Sequence, residues 1–221
     1  MFSPIVQTRR GVTLIGGART DRDQVESAVA LAPVVAAADS GALSALDLGF
    51  PPVAVIGDMD SLDELSTTRL DPSIVHRIPE QETTDFDKCL RHIAAPFILG
   101  VGFTGDRLDH QMAMFNTLVR QPGQRCIVLG ADDICFHCPA SLALDLPVGT
   151  RVSLFPMAPV TGRSVGLRWP IAGLAFRPDG RVGTSNATVA ETVLLEMDAP
   201  GMLVMLPRAA LPAAIRALTA P

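Results

Sequence analysis

Three short acidic clusters in the first half of the chain have the composition needed for phosphate chemistry. They are Gly57-Asp58-Met59-Asp60-Ser61, Thr83-Thr84-Asp85-Phe86-Asp87-Lys88 and Gly105-Asp106-Arg107-Leu108-Asp109-His110. Each follows or abuts an apolar run that reads as a buried strand or helix. Carboxylates at strand ends beside an Arg and a Lys can hold a hard cation and a polyphosphate, which points to phosphoryl or pyrophosphoryl transfer.

In extended backbone, residues two apart point the same way. Asp58 and Asp60 could then share one cation, with Gly57 letting a phosphate approach the backbone. The plainer alternative is that Asp60 or Ser61 caps a following helix. In the second cluster Thr83 or Thr84 can cap a helix whose first turn carries Asp85, with Lys88 three residues on and Asp87 facing solvent. Taken alone, Asp85 and Lys88 read as an ordinary intrahelical ion pair. In the third cluster Arg107 offers a planar fork of donors to phosphate. Asp109 at a helix start could reach a metal or a ribose, and His110 could be a ligand, a base or a cap. Asp39-Ser40-Gly41 is a fourth acidic strand end.

The elements that must position these groups come from hydrophobic patterning. Strands are expected at 12–15, 34–38, 53–56, 74–78, 96–101 and 126–129. Helices are expected at 23–31, 42–48, 62–70, 86–94 and 108–119. Continuous apolar strands alternating with helices imply a mostly parallel sheet with helices on both faces. Ligands of such sheets bind beyond the carboxyl ends of the strands, so the acidic clusters should converge. From about residue 132 the segments become short and β-like, as in a small antiparallel sandwich or barrel. Segments 187–197 and 202–206 read as β, and 208–218 as a closing helix. The division expected is 1–131 and 132–221.

The chain has 221 residues, 48% of them hydrophobic, which excludes a disordered polypeptide. Its formal net charge of -5, with no basic patch, argues against a nucleic-acid partner. No segment reads as a signal peptide or membrane span, so a reduced, cytoplasmic protein is expected. Cys135-Phe136-His137-Cys138 has CxxC spacing but lacks a second pair to complete a zinc site, and reads as plain strand. Cys89 and Cys126 read as small core residues. There is neither a Gly-x-x-x-x-Gly-Lys-Ser/Thr loop nor a dinucleotide fingerprint after the first strand.

The order and spacing of the clusters resemble thiamine pyrophosphokinase. The matching run is Asp39-Ser40-Gly41-Ala42, Gly57-Asp58-Met59-Asp60-Ser61, Gln81-x-x-Thr84-Asp85-Phe86-x-Lys88 and Gly105-x-Arg107-Leu108-Asp109-His110. Gly166-Leu167-Arg168-Trp169 and Thr184-Ser185-Asn186 resemble that family's thiamine-site signature. Two departures are Ser40, where Asp-Gly is usual, and the inserted Asp106. The resemblance implies an α/β nucleotide-binding domain followed by an antiparallel β-sandwich, in a homodimer with sites shared between subunits. It implies transfer of the pyrophosphoryl group of ATP to the hydroxyethyl oxygen of thiamine, with Mg2+. By position, Asp58, Asp60 and Asp85 would serve the metal. Together with Lys88 they would form the catalytic set, Asp85 being the candidate base. Asp39, Lys88, Arg107, Asp109 and His110 would meet ATP. Gln81, Asp85, Trp169, Ser185 and Asn186 would meet thiamine. A pyrophosphokinase acting on a hydroxymethyl pterin and a non-catalytic thiamine- or nucleotide-binding protein are the alternatives. From its residue type alone, Trp169 would be assigned to the core of the second domain.

Overall fold

The computed structural model describes residues 3–61 and 68–220, which form two compact units, Met1–Thr117 and Leu118–Pro221. In the first unit the apolar runs become short strands, buried in β2, β3, β4 and β7. β1 (Val6–Gln7) is followed by β2 (Val12–Ile15), β3 (Val34–Ala38), β4 (Ala54–Gly57), β5 (Val75–Arg77), β6 (Ile93–Ala94) and β7 (Ile98–Val101). Every ladder in this unit is parallel: β3 with β4, β4 with β5, β2 with β7 and β1 with β6. β3 runs beside β2, where the Val34 amide donates to the Gly11 carbonyl at 3.3 Å. Parallel strands need crossover connections, and helices supply them. α1 (Arg22–Leu31) starts at the Asp21 cap and packs on β2 and β7. α2 (Gly41–Asp47) packs on β2 and β3, and α3 (Asp85–His92) on β3 and β4. The helix expected at 62–70 falls largely outside the described residues.

Two local readings needed adjustment. α3 stops at His92 because Ile93 turns extended and pairs with Val6, so the last residues of the expected helix form β6 instead. The strand expected at 74–78 shortens to β5 because Asp71 caps a single turn at Pro72–Ile74. α4 (Leu108–Arg120) holds the division between the two units.

The second unit is antiparallel. β8 (Cys126–Leu129), β9 (Asp133–His137), β11 (Arg151–Pro156), β13 (Gly183–Ala187) and β15 (Met202–Pro207) pair in the order β13-β11-β15-β9-β8. β10 (Ser141–Asp145), β12 (Gly162–Val165) and β14 (Thr192–Met197) form a second sheet in the order β10-β14-β12. Alternation along β10 and β14 buries Leu142, Leu144, Val193 and Leu195 on one face, the period-two pattern of a half-buried sheet. The run at 187–197 is two strands rather than one, parted by a turn. α5 (Leu211–Thr219) packs on β10 through a face that includes buried Ala214. Cys135–His137 end β9, and Cys138 follows it. Burial pushes both the Cys135 and Cys138 thiols up to about 12, disfavouring the thiolate that a metal would need.

Gly41 joins this scaffold to the site. A Cβ there would collide with the Ile15 carbonyl oxygen and come within 2.8 Å of the Gly16 carbonyl carbon. The close seating of α2 on β2 therefore needs glycine. Gly41→Ala is expected to cost about 2 kcal/mol or more despite alanine's better helix propensity, as an overpacking change against backbone. Thermal melts of the two proteins check this; equal midpoints would show that α2 can shift without cost.

Candidate active site

Asp39 follows β3 and Asp58 follows β4, so neighbouring parallel strands deliver both carboxylates to the same end. Asp60 joins them, and one ligand atom from each of the three lies within 4.8 Å of the others. The route differs from the extended backbone expected for 57–61. Met59 takes a left-handed φ of +65°, and the Asp60 amide donates to Asp58 Oδ1 at 3.2 Å. The two carboxylates converge through a tight turn. Gly57 also has a different reason from the one expected. A Cβ there would sit 3.0 Å from both Asp39 Cβ and Asp85 Oδ1, so glycine lets the acidic elements close on one another.

Lys88 is the centre of the arrangement. Its side chain is 0% exposed, and Nζ donates to Asp58 Oδ2 at 2.6 Å and to Asp85 Oδ1 at 3.1 Å. The intrahelical pair with Asp85 exists, but the shorter bond is the tertiary one to Asp58. Gln81 Nε2 donates to the same Asp58 oxygen at 3.3 Å, and Arg77 Nε to the Asp58 carbonyl at 3.1 Å. Thr84 caps α3 by accepting from the Asp87 amide. Asp87 does not face solvent as expected. It is buried and pairs with Arg91 Nε at 2.9 Å, because α3 turns that side against the unit's interior.

Burial works against the charges of Asp39, Asp58, Asp85 and Lys88, and the partners decide the outcome. Burial alone would raise Asp58, yet hydrogen bonds from Lys88 and the Asp60 amide hold it below the usual range. Burial would lower Lys88, and its two carboxylates raise it. Asp85 is raised by burial, against the pull of Lys88. Asp39 is 2% exposed, and neither carboxylate oxygen has a hydrogen-bond partner. Burial first, then the Asp85 charge, pushes it up to about 6. A buried carboxylate without partners beside two others suits a hard divalent cation with oxygen ligands. The carboxylates that come within 4.8 Å of one another are Asp39, Asp58 and Asp60; the metal set expected from the sequence is Asp58, Asp60 and Asp85.

A cavity of about 220 Å3 opens on this group. Asp39, Asp85, Phe86, Phe103, Arg107 and His110 are among its lining residues. Arg107 forms a bidentate pair with Asp109, at 2.6 and 3.2 Å, and both are exposed. Asp109 does not line the cavity; it holds the guanidinium that does. The inserted Asp106 accepts from the Arg19 amide at 2.8 Å. Sequence reasoning missed Gly16 and Gly17. A Cβ on Gly16 would strike the Gly102 carbonyl, and one on Gly17 would lie 2.5 Å from Ser40 Oγ. A glycine pair directly after a buried strand was the available signal.

In the second unit Trp169 is 57% exposed and outside the core, with the Arg168 guanidinium 5.6 Å from its ring centroid. Asn186 is buried, and its amide is committed to the chain. Oδ1 accepts from the Trp169 and Ala187 amides, and Nδ2 donates to the Trp169 carbonyl at 2.7 Å. Ser185 sits beside it at a φ of +62°. Among the described residues the non-glycine positions with positive φ are Asp39, Met59, Asp106 and Ser185, all within the motifs singled out from sequence. Such conformations cost about 1–3 kcal/mol each and cluster where function requires them.

Residues 25–128 match the family model for the thiamin pyrophosphokinase catalytic domain. The chain is 27% identical over 168 residues to thiamine pyrophosphokinase 1 of Arabidopsis thaliana, covering 67% of this chain and 63% of that protein. It is 29% identical over 168 residues to thiamine pyrophosphokinase 1 of rice (Oryza sativa subsp. japonica), covering 67% and 64%. The chain thus spans a little under two thirds of the length of these relatives. Among solved structures, yeast thiamin pyrophosphokinase superposes with a TM-score of 0.73 at 16% identity, covering 95% of this chain and 89% of that one. The Candida albicans enzyme gives 0.72 at 15%, covering 94% and 95%.

The unfolded chain loses the Asp39 proton near 3.8, whereas the folded protein keeps it to about 6. In that window the native state binds more protons, so stability from this group falls as pH rises from about 4 to 6. Above pH 6 the charge is a full cost. In chelator, Asp39→Asn should therefore melt above wild type at pH 7.5, by on the order of 2 kcal/mol, and match it near pH 4. Added magnesium should stabilise wild type and leave the variant unmoved. A stability difference that stays flat across pH would refute the strained carboxylate.

Proposed function

We propose, from the premise that the chain belongs to the thiamin pyrophosphokinase family, that it transfers the pyrophosphoryl group of ATP to the hydroxyethyl oxygen of thiamine. The observation that carries this reading is Asp39 with Asp58 and Asp60 within reach of one cation, beside the buried Lys88. Asp39, Asp58 and Asp60 would hold magnesium, which when bound supplies charge neutralisation on phosphate oxygens. Asp85, its pKa raised and itself lining the cavity, accepts the proton of the attacking alcohol. The alcohol oxygen bonds to the β-phosphorus as the bond from that phosphorus to the α–β bridging oxygen breaks, and AMP departs with that oxygen. Lys88 keeps Asp58 ionised and sets the direction of Asp85. Arg107 and His110 meet the phosphates, with Asp109 orienting Arg107. Little covalent chemistry is asked of the protein, so alignment and charge carry the rate.

Thiamine is a flat cation, and Trp169 offers it an exposed ring face away from Arg168. Asn186 holds the Trp169 backbone, Ser185 lies at the same turn, and Gln81 stands at the alcohol end. In this reading the two antiparallel sheets of the second unit form a sandwich, with 1–131 serving the nucleotide and 132–221 thiamine. The chain would act as a homodimer with composite sites. Val165 and Leu194, register partners on β12 and β14, are both exposed on the outer face of that sheet, beside the Arg163–Glu196 ion pair. Four free, buried cysteines suit a reducing compartment such as the cytoplasm.

Asp58→Ala or Asp60→Ala should lower AMP release at least a thousandfold, with the circular dichroism spectrum unchanged. Near-normal turnover in both, across a magnesium titration, would remove the metal assignment. A pterin alcohol run beside thiamine separates the acceptors.

Mixing inactive Asp85→Ala chains with Trp169→Ala chains that bind thiamine weakly should, at subsaturating thiamine, give more activity than the two parents assayed apart if sites are composite. Verified mixed dimers without recovery would place each site within one chain. Thiamine should quench Trp169 fluorescence saturably, and Trp169→Ala should raise the thiamine KM about five- to thirtyfold, a loss of about 1–2 kcal/mol.

A further inference from the structure

The segment between β5 and α3 carries Gln81, and it leads through the Thr84 cap into the turn that holds Asp85. It has no strand or helix of its own, and ordering such backbone costs entropy that local ties must offset. Those ties converge on two residues outside the cavity lining. Glu80 Oε2 accepts from the Glu82 amide at 2.9 Å and the Thr83 amide at 3.1 Å. Glu80 Oε1 accepts from the Thr83 hydroxyl and from Arg91 Nη2, the latter at 2.5 Å. Arg91 Nη2 also donates to Thr83 Oγ1 at 2.7 Å, while Nε lies 2.9 Å from the buried Asp87 Oδ1. One guanidinium therefore ties the segment to α3, two turns beyond the cap. A planar fork with several fixed donors can do this; a lysine ammonium cannot reproduce the geometry.

We propose that Glu80 and Arg91 form a positioning clamp that sets Gln81 and Asp85 against the acceptor alcohol. The proposal rests on the function proposed above. Neither residue touches the reacting atoms; both act through the segment they hold. The charge arrangement is coupled, since Asp87 is paired by the same guanidinium that holds Glu80.

The test measures AMP release and amide hydrogen exchange in Arg91→Met, Arg91→Lys, Glu80→Ala and the Arg91→Met/Glu80→Ala double variant, below the melting temperature of each. In Arg91→Met, kcat should fall at least tenfold with the ATP KM within twofold of wild type. Arg91→Lys should recover part of that loss. The double variant should be no worse than the poorer single, as for two halves of one device. The Glu82 and Thr83 amides should exchange at least tenfold faster, with β7 unchanged. A kcat within twofold of wild type alongside a lowered melting temperature would reduce the clamp to a stability feature and overturn the proposal; unchanged exchange at 82–83 would do the same. Exchange needs no substrate. Wild type that yields no AMP from thiamine, yet shows the expected exchange differences, would reject the substrate reading and keep the clamp.

Discussion

The buried ammonium of Lys88 is the constraint on which the first unit depends. A lysine removed from water must be paired, and Lys88 is paired twice, once with Asp58 from a distant strand end and once with Asp85 within its own helix. Its bond to Asp58 ties α3 to the end of β4. Its bond to Asp85 fixes the first turn of the helix that carries it. Removing either side would leave an uncompensated charge in the interior, so the pair resists drift more than a surface ion pair would. Asp39, Asp58, Asp60 and Asp85 are gathered around this one buried ammonium. That imbalance leaves Asp39 without a partner and makes the group receptive to a cation.

The scaffold accepts strain to reach this state. Asp39 and Met59 hold left-handed backbone at the two strand ends that deliver the carboxylates. Gly41 and Gly57 stand where any side chain would hold the elements apart. Apolar parallel strands beneath, buried almost throughout, supply the rigidity that keeps such conformations populated. The second unit uses the same economy at a smaller scale. Asn186, buried and fully engaged with backbone, presents a large aromatic ring to solvent that a core would otherwise claim.

Much of this was legible in the chain because it follows from local rules. β2, β3 and β8 coincide with the apolar runs, since a continuous β-branched and alanine-rich stretch between turn signals has few other ways to be buried. Thr84 acts as a cap because a hydroxyl before an acidic first turn satisfies the helix's free amides. The convergence of Asp39 and Asp58 follows from consecutive parallel strands, whose carboxyl ends lie on one side.

What the local pattern could not reveal depends on which other segments come near. Lys88 looks like an intrahelical partner of Asp85 until β4 brings Asp58 closer. Asp87 looks solvated until the packing of α3 buries it against Arg91. The turn at Met59 is decided by the need to bring two carboxylates together, and nothing in methionine itself favours a positive φ. A tryptophan's preference is for the core, and only the Asn186 clamp shows why this one stands outside it. By itself the sequence determined the element order, the strand ends that carry acids and the family those acids resemble, because spacing and hydrophobic period are properties of the chain. Tertiary structure alone decided which charge pairs with which and which carboxylate is left without a partner, because burial and electrostatic partnership exist only once distant segments share a dielectric.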